Sequence, residues 1–280
     1  MAYQQIEVER RGRVEIIRLN RPRYRNAQSR ILLEEMNAAF AAADLDNAVH
    51  VIVLAGAGEH FSAGHDLGTP EELADRKLDH FGEGTLGQIN RSWHLFVDSS
   101  LRWRDVKKPT IAQVQGYCIF GGFLIASCMD LIIASEDAKF LPSHLQLHTA
   151  PWDLGIRKAK QILFENRFIP AQEALKIGLV TEVVPRDRLE AAVLAQAERF
   201  AENDLMTLRM LKQSINAAQD AMGYRNAVHA SHSSYMLIEL TRAERGLDKD
   251  AGPRQLGGVA AALEKERRKT GGRAPEGEGA

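Results

Sequence analysis

The chain has 280 residues and a formal net charge of −1 at neutral pH, with 36 basic and 37 acidic side chains. This length supports a sizeable hydrophobic core without disulfide cross-links, and the balanced charge leaves no electrostatic footprint for nucleic acid or an anionic membrane. Cys118 and Cys128 lie in an apolar stretch, which favours buried, non-catalytic thiols in a reducing compartment. No apolar run approaches the roughly 20 residues that span a bilayer. We therefore expect a cytoplasmic protein whose partners are small molecules and copies of itself.

The first half of the chain alternates between strand and helix patterns. A β-rich segment, Val14 to Leu19, is followed by apolar residues at helical spacing from Leu32 to Phe40 and by the continuous apolar run His50 to Ala55. A second cycle predicts a helix and two strands over 89–101, 110–114 and 131–134. Such alternation with short connections requires crossovers between parallel strands, so the pattern predicts an α/β fold.

The strand signals stop near Leu189, which divides the chain into three predicted parts. Residues 1–188 form the α/β core, and residues 189–263 form a helical region with helices over 189–203, 206–221 and 227–247. Residues 264–280 are charged, rich in glycine and almost devoid of apolar side chains. That composition predicts a disordered tail.

Two glycine-containing turns follow predicted strands, at Phe61 to Leu67 and at Gly116 to Gly122. Glycine lets the backbone approach a ligand closely, although a plain turn with positive φ has the same requirement. The second turn leads into a predicted helix, whose first N–H groups and dipole favour negative charge on a ligand. The first turn lacks the dinucleotide-binding fingerprint and neither turn contains a P-loop, so these two nucleotide-binding classes fit poorly.

The turns and their surroundings resemble the crotonase (enoyl-CoA hydratase/isomerase) family from about Val8 to Pro185. The segments that carry the resemblance occur in family order, at 21–27, 61–67, 108–112, 115–117 and 174–180. The resemblance implies a spiral of repeated ββα units, with C-terminal helices that assemble a homotrimer or a dimer of trimers. It also implies an acyl-CoA substrate, with coenzyme A as part of the substrate and no permanently bound cofactor.

The resemblance further implies an oxyanion hole made by the backbone N–H groups of His65 and Gly121. Two fixed donors stabilise the enolate that forms next to a thioester carbonyl without reorganising. The His65 imidazole is expected to be a bystander. Arg25 matches the family position that reaches the phosphates of coenzyme A, where a guanidinium suits several anionic oxygens, although a solvated surface arginine is the simpler reading. Further residues expected at the substrate are Ala63, Phe120 and Asp66, the last of which is expected to order its loop rather than transfer a proton.

The family's two catalytic glutamates are missing at the expected positions, which fall on His144 and Gln161 in a segment shorter than usual. Histidine can serve as a general base near neutral pH, whereas glutamine cannot exchange protons. The candidates for acid–base chemistry are therefore His144, which we prefer, and His148, Asp153 and His94. Each of these side chains is equally compatible with a local hydrogen-bonding role.

Several functions stay open on this pattern. Hydration of an enoyl-CoA, or its reverse, is the leading interpretation, followed by isomerisation and by thioester or C–C hydrolysis. Dehalogenation is a further alternative, because Trp152 and Asp153 lie near the position of the nucleophilic aspartate of aryl-CoA dehalogenases. Loss of both glutamates also suits a catalytically silent acyl-CoA-binding or scaffold protein. No motif predicts a metal or a nucleophilic serine.

Overall fold

A computed structural model describes residues 3–78, 80–142, 149–244 and 256–269. The strands are β1 (Ile6–Arg11), β2 (Val14–Leu19), β3 (Val51–Gly56), β4 (Thr110–Val114), β5 (Tyr117–Ile119), β6 (Leu131–Ser135), β7 (Lys139–Leu141), β8 (Ile169–Pro170) and β9 (Glu182–Val184). The helices of the core are α1 (Arg30–Leu45), α2 (Pro70–Arg76), α3 (Gly84–Ser92), α4 (Ser99–Arg104), α5 (Gly121–Ser127), α6 (Ala150–Leu154), α7 (Ile156–Glu165) and α8 (Ala171–Lys176). The C-terminal helices are α9 (Leu189–Ala201), α10 (Leu205–Ala221), α11 (Tyr224–Glu244) and α12 (Leu256–Lys269).

The strands form two sheets between which the chain alternates. The larger sheet has the order β1-β2-β3-β4-β6-β9 and is parallel except for the hairpin β1–β2, and the smaller sheet has the order β5-β7-β8. The chain steps from the larger to the smaller sheet at β4–β5 and again at β6–β7, and each step is followed by helix. This is the repeated ββα arrangement, so the predicted fold class is confirmed.

The larger sheet is covered on both faces, which explains the continuous apolar run of β3. On one face, Ile52 and Leu54 belong to the main core together with α1. On the other face, Val51 and Val53 pack in a second cluster with Val193 and its neighbours on α9. All six residues of β3 are buried as a result, and the alternation expected for a half-exposed strand is absent from it.

The C-terminal helices leave apolar side chains exposed. They are Met206, Met210, Leu211, Ile215 and Met222 on or directly after α10, and Leu237 and Ile238 on α11. Within the described ranges, no helix is both long enough and apolar enough to cross a bilayer.

The last described helix overlaps the tail that the composition predicts. Helix α12 includes residues 264–269, whereas the disordered tail was predicted for 264–280. Packing outweighs composition here, because Ala262 is buried in a cluster with Phe168 and the Lys139 ammonium lies 2.8 Å from the Glu266 carboxylate. The rest of the predicted tail, 270–280, lies outside the described residues.

Candidate active site

The first glycine turn is held between two neighbouring segments by backbone hydrogen bonds. Gln28 N donates to Gly64 O at 2.8 Å and Asp66 N donates to Gln28 O at 3.0 Å. On the other side, Ser62 N donates to Tyr117 O and Ile119 N donates to Ser62 O, both at 3.0 Å. The loop therefore behaves as a short strand that joins residue 28 to β5, and it brings the two predicted turns together.

The two turns approach closely at Gly64 and Gly121. Gly64 has φ 95°, and a Cβ there would lie 2.8 Å from Ile119 O and 3.2 Å from Gly121 N. A Cβ on Gly121 would lie 2.5 Å from Gln28 Oε1 and 2.8 Å from His65 Nδ1. The backbone that carries His65 and the first residue of α5 thus lie side by side. A Cβ is excluded at Gly64, where it would meet backbone, whereas at Gly121 it would require side chains to move.

The peptide that carries the Gly121 N–H is set by a strained residue. Phe120 has φ 43° and ψ −101°, a sparsely populated conformation for a bulky side chain, and such strain clusters at functional sites. It is held from both sides, because Phe120 N donates to Leu141 O and Leu124 N donates to Phe120 O. Gly121 is the first residue of α5, where backbone N–H groups have no acceptor within the helix.

The Phe120 side chain, which the sequence analysis expected at the substrate, packs with Leu141, Phe168 and Ala262 in a small apolar cluster. The structure places it on the side of the smaller sheet.

Asp66 orders the first turn through contacts within the protein. Its Oδ1 accepts from the N–H groups of Gly68 and Thr69, and its Oδ2 accepts from Thr69 Oγ1 at 2.6 Å and from the Arg21 guanidinium at 2.8 Å. Burial alone would raise the pKa of Asp66, but the bonds from Thr69 and Arg21 outweigh it and the pKa is lowered. The carboxylate is therefore ionised and committed to its loop.

A cavity opens beside Gly121 and His65. Its walls come from Leu95 and Phe96 of the π-helical turn Trp93–Asp98, from Ser100 and Trp103 of α4, and from Leu124 and Ile125 of α5. The space between these walls is too narrow to hold a water molecule. π-helical turns are rare and concentrate at functional sites. Here the turn places the Phe96 ring 3.9 Å from the His65 ring, centroid to centroid.

The His65 imidazole, expected to be a bystander to the chemistry, lies in the wall of this cavity. Among the described residues that line the cavity, it is the only side chain that can exchange a proton near neutral pH. The preferred base, His144, lies outside the described residues, as does His148. His94 lines a separate surface pocket with Glu34 and Trp93.

Asp153 lies at the opposite end of α5 from the two amides. It borders a different cavity together with Ser127, the last residue of α5, which is about 9 Å along the helix axis from Gly121. Burial raises the pKa of Asp153 to about 6, opposed in part by the polar side chains of Thr149 and Ser127. The structure thus does not bring this predicted catalytic carboxyl to the backbone amides of His65 and Gly121. The number of residues between these positions in the sequence does not show that Asp153 lies at the other end of α5 from Gly121.

Arg25 and Ala63 lie where the first turn meets the surface. Ala63 N donates to Arg25 O at 2.9 Å, which ties the two segments together. The Arg25 residue is exposed, and burial, followed by the positive charge of Arg25, lowers the pKa of the neighbouring His60. A cation is therefore present at the rim of the site.

Comparison with known proteins gives this geometry a family. The family model for enoyl-CoA hydratase/isomerase matches residues 9–249. The chain belongs to the enoyl-CoA hydratase/isomerase family. It is 36% identical over 246 residues to a putative enoyl-CoA hydratase of Mycobacterium tuberculosis, EchA13, covering 81% of this chain and 77% of that protein. It is also 36% identical over 225 residues to a probable enoyl-CoA hydratase of Rhizobium meliloti, covering 77% and 82%.

Solved structures of the crotonase superfamily share the fold. A probable enoyl-CoA hydratase from Mycobacterium smegmatis superposes with a TM-score of 0.79 at 37% identity, covering 87% of this chain and 96% of that one. An enoyl-CoA hydratase/isomerase from Xanthobacter autotrophicus Py2 superposes with a TM-score of 0.77 at 28% identity, covering 96% and 99%.

Three residues of the site were missed by sequence reasoning. Gln28, Phe96 and Trp103 all line the cavity. Phe96 lies on a helical apolar face that was assigned to the core, and Trp103 follows that face directly. Gln28 directly follows the segment 21–27 that carries the family resemblance. A polar residue next to that segment could have marked it as a site residue.

Proposed function

We propose that this crotonase-family chain binds an acyl-CoA thioester and catalyses hydration of its enoyl double bond, or the reverse dehydration. The thioester oxygen would lie between the N–H groups of His65 and Gly121. The supporting observation is the convergence of the two turns, in which the Cβ position of Gly64 is 3.2 Å from Gly121 N. Donors fixed on backbone stabilise an enolate oxygen without reorganising, and one such donor is worth roughly 10²–10³ in rate.

The proton transfer is proposed for the His65 imidazole. The ring lies against Gly121 and Phe96, so it adjoins the carbons next to a thioester whose oxygen faces the two amides. Histidine imidazole is the side chain that most often acts as a general acid or base in enzymes. His144, our preferred base from the sequence, stays the second candidate. Gln161 is exposed on α7, where it bonds with Lys158 and Glu165.

Coenzyme A would enter as part of the substrate, with Arg25 at the rim pairing with its phosphates. The apolar side chains exposed on α10 and α11 would be buried by sister subunits in a homotrimer or a dimer of trimers. Sedimentation equilibrium tests this assembly, and a monomer at micromolar concentration contradicts it.

The function is tested with crotonyl-CoA and an aromatic enoyl-CoA, because hydration removes the ultraviolet absorbance of the conjugated thioester. His65→Gln retains the backbone N–H and a polar side chain of similar length but cannot exchange a proton. We expect its kcat to fall by roughly 10²–10⁴ with little change in KM. His144→Ala is measured beside it. Full activity of His65→Gln together with loss in His144→Ala would reassign the base to His144.

A catalytically silent acyl-CoA-binding protein is the second candidate, and one observation favours it. The first turn of α5 presents the apolar Leu124 to the cavity, and no carboxylate lines that cavity among the residues that the structure describes. Binding of crotonyl-CoA without turnover by the wild-type protein would support this role. Dehalogenation is not favoured, because Asp153 lies at the far end of α5.

A further inference from the structure

The cavity that Asp153 and Ser127 border lies away from the two glycine turns and has a volume of about 640 Å³. We call it the α10 cavity, because helix α10 forms one of its walls. Its walls are mainly apolar side chains, from α10, from the end of α9 and from the segment between α5 and β6: Leu208, Leu211, Ile215, Phe200, Met129 and Leu131. A cavity of this size with apolar walls and a few polar groups has the character of a small-molecule site.

The cations that line the α10 cavity are paired with carboxylates. The Lys212 ammonium lies 2.8 Å from the Asp130 carboxylate. The Arg104 guanidinium lies 3.0 Å from Asp105 and 3.1 Å from Asp220. These pairs commit the positive charges to the protein, so the cavity does not favour an anionic ligand.

Asp153 is the carboxylate of this cavity that lacks a cation among the described residues. Its Oδ2 has no hydrogen-bond partner in the described part of the chain, and the same holds for Ser127 Oγ and Thr149 Oγ1. The two hydroxyl side chains lie beside the carboxylate, because they are the groups that oppose the effect of burial on its pKa. Buried polar atoms in folded proteins are paired as a rule. Three oxygens that lie together without partners therefore indicate a place for a donor.

We infer that the α10 cavity binds a small primary amine, with the ammonium group at Asp153 and the apolar body along α10. An alkyl ammonium carries three N–H donors, which match the carboxylate and the hydroxyls of Ser127 and Thr149. Its charge also compensates a carboxylate that is otherwise buried without a counterion. A neutral alcohol of the same length supplies one donor and no charge, and a carboxylic acid adds a like charge.

The test measures binding of n-octylamine to the assembled wild-type protein at neutral pH by calorimetry, beside octan-1-ol and octanoate. Alkylamines are charged at this pH, as the lysine side chain is. We expect saturable binding of octylamine, about 10–100-fold tighter than that of octan-1-ol, and no binding of octanoate. From butylamine to octylamine, the affinity should rise about fourfold for each added CH₂ group, because the apolar body enters the cavity.

The variants test the residues of the site. Asp153→Asn should lower the affinity for octylamine about 10–100-fold, to that of octan-1-ol, and Ser127→Ala should lower it about tenfold. Asp187→Asn is the matched control, because Asp187 is exposed and does not line the cavity, and its affinity should equal that of the wild type. Thermal unfolding of each variant verifies that it is folded.

Four outcomes would overturn the inference. Absence of saturable octylamine binding, as when a sister subunit fills the cavity, would exclude the site. Equal affinities for octylamine and octan-1-ol, or wild-type affinity in Asp153→Asn, would exclude the role of the carboxylate. A loss in Asp187→Asn as large as that in Asp153→Asn would show attraction to surface charge alone. None of the probes is a thioester, so each of these outcomes leaves the proposed function untouched.

Discussion

Gly121→Ala should remove activity while preserving the fold. Gly121 does not have a positive φ, so alanine suits its backbone, but the new Cβ would lie 2.5 Å from Gln28 Oε1 and 2.8 Å from His65 Nδ1. Both neighbours are side-chain atoms that can move. Since ordinary contact begins at 3.4 Å, Gln28 Oε1 must retreat by about 0.9 Å. A displacement of about 1 Å in reacting groups costs about 10²-fold in rate, which is about 2.7 kcal/mol.

The assay is kcat/KM for crotonyl-CoA hydration, paired with thermal unfolding and with coenzyme A binding. We expect a loss of about 10²-fold with a change in Tm of only a few degrees. Gly68→Ala is the neutral control, because its Cβ would meet nothing within 4 Å. Gly122→Ala is the opposite control, because its Cβ would lie 2.5 Å from the backbone oxygen of Ser62 and should lower the Tm. Wild-type kcat/KM in Gly121→Ala would refute the placement of the reaction beside Gly121.

Three further predictions concern groups away from the reacting atoms. Asp66→Asn should destabilise the protein by about 3 kcal/mol at pH 7, because it breaks a buried ion pair. Because the pKa of Asp66 is lowered in the folded state, the full loss of stability should appear above the unfolded-state pKa of about 3.9 and should shrink as the pH falls through the folded-state pKa. Urea titrations at several pH values measure this. The pH dependence from Asp153 runs the other way, because its pKa in the folded protein is raised to about 6. Wild-type stability should fall as the pH rises from about 4 to about 6. Asp153→Asn should lessen this fall without changing kcat. Burial raises the pKa of Cys128 to about 12 and that of Cys118 well above its usual value. At pH 8 both thiols should therefore resist iodoacetamide in the folded protein and react with it in urea. Rapid labelling without urea would contradict the buried placement.

The sequence predicted the parts of the fold that depend on local patterns. The apolar run of β3 reflects burial of the strand on both faces. The glycine turns reflect close approach of one backbone segment to another. Both requirements act within a few residues. The π-helical turn over Trp93 to Asp98 was not predicted. Its apolar residues still fit the spacing of an α-helix, so the additional residue per turn cannot be recognised from the sequence. The position of Asp153 at the C-terminal end of α5 was not predicted either. Its segment is shorter than usual for the family, and the sequence does not show at which end of α5 this segment packs.

The acid–base role proposed for His65 shows the same limit. The resemblance pointed to positions after β7, of which His144 lies outside the described residues, whereas the imidazole beside Gly121 belongs to the first glycine turn. Sequence order could not show that the His65 ring and backbone face the same cavity. That depends on the packing of the π-helical turn against the loop, which joins residues about thirty positions apart.

The conformation of Phe120 has a consequence for the C-terminal part of the chain. The ring of this residue is held by Leu141, Phe168 and Ala262, and the last of these belongs to a helix formed some 140 residues later in the sequence. The direction of the peptide bond that carries the Gly121 N–H is thus tied to the position of the final helix. On the proposed function, truncations or fusions at the C-terminus would alter the amide that binds the thioester oxygen without touching the substrate, so tags are better placed at the N-terminus.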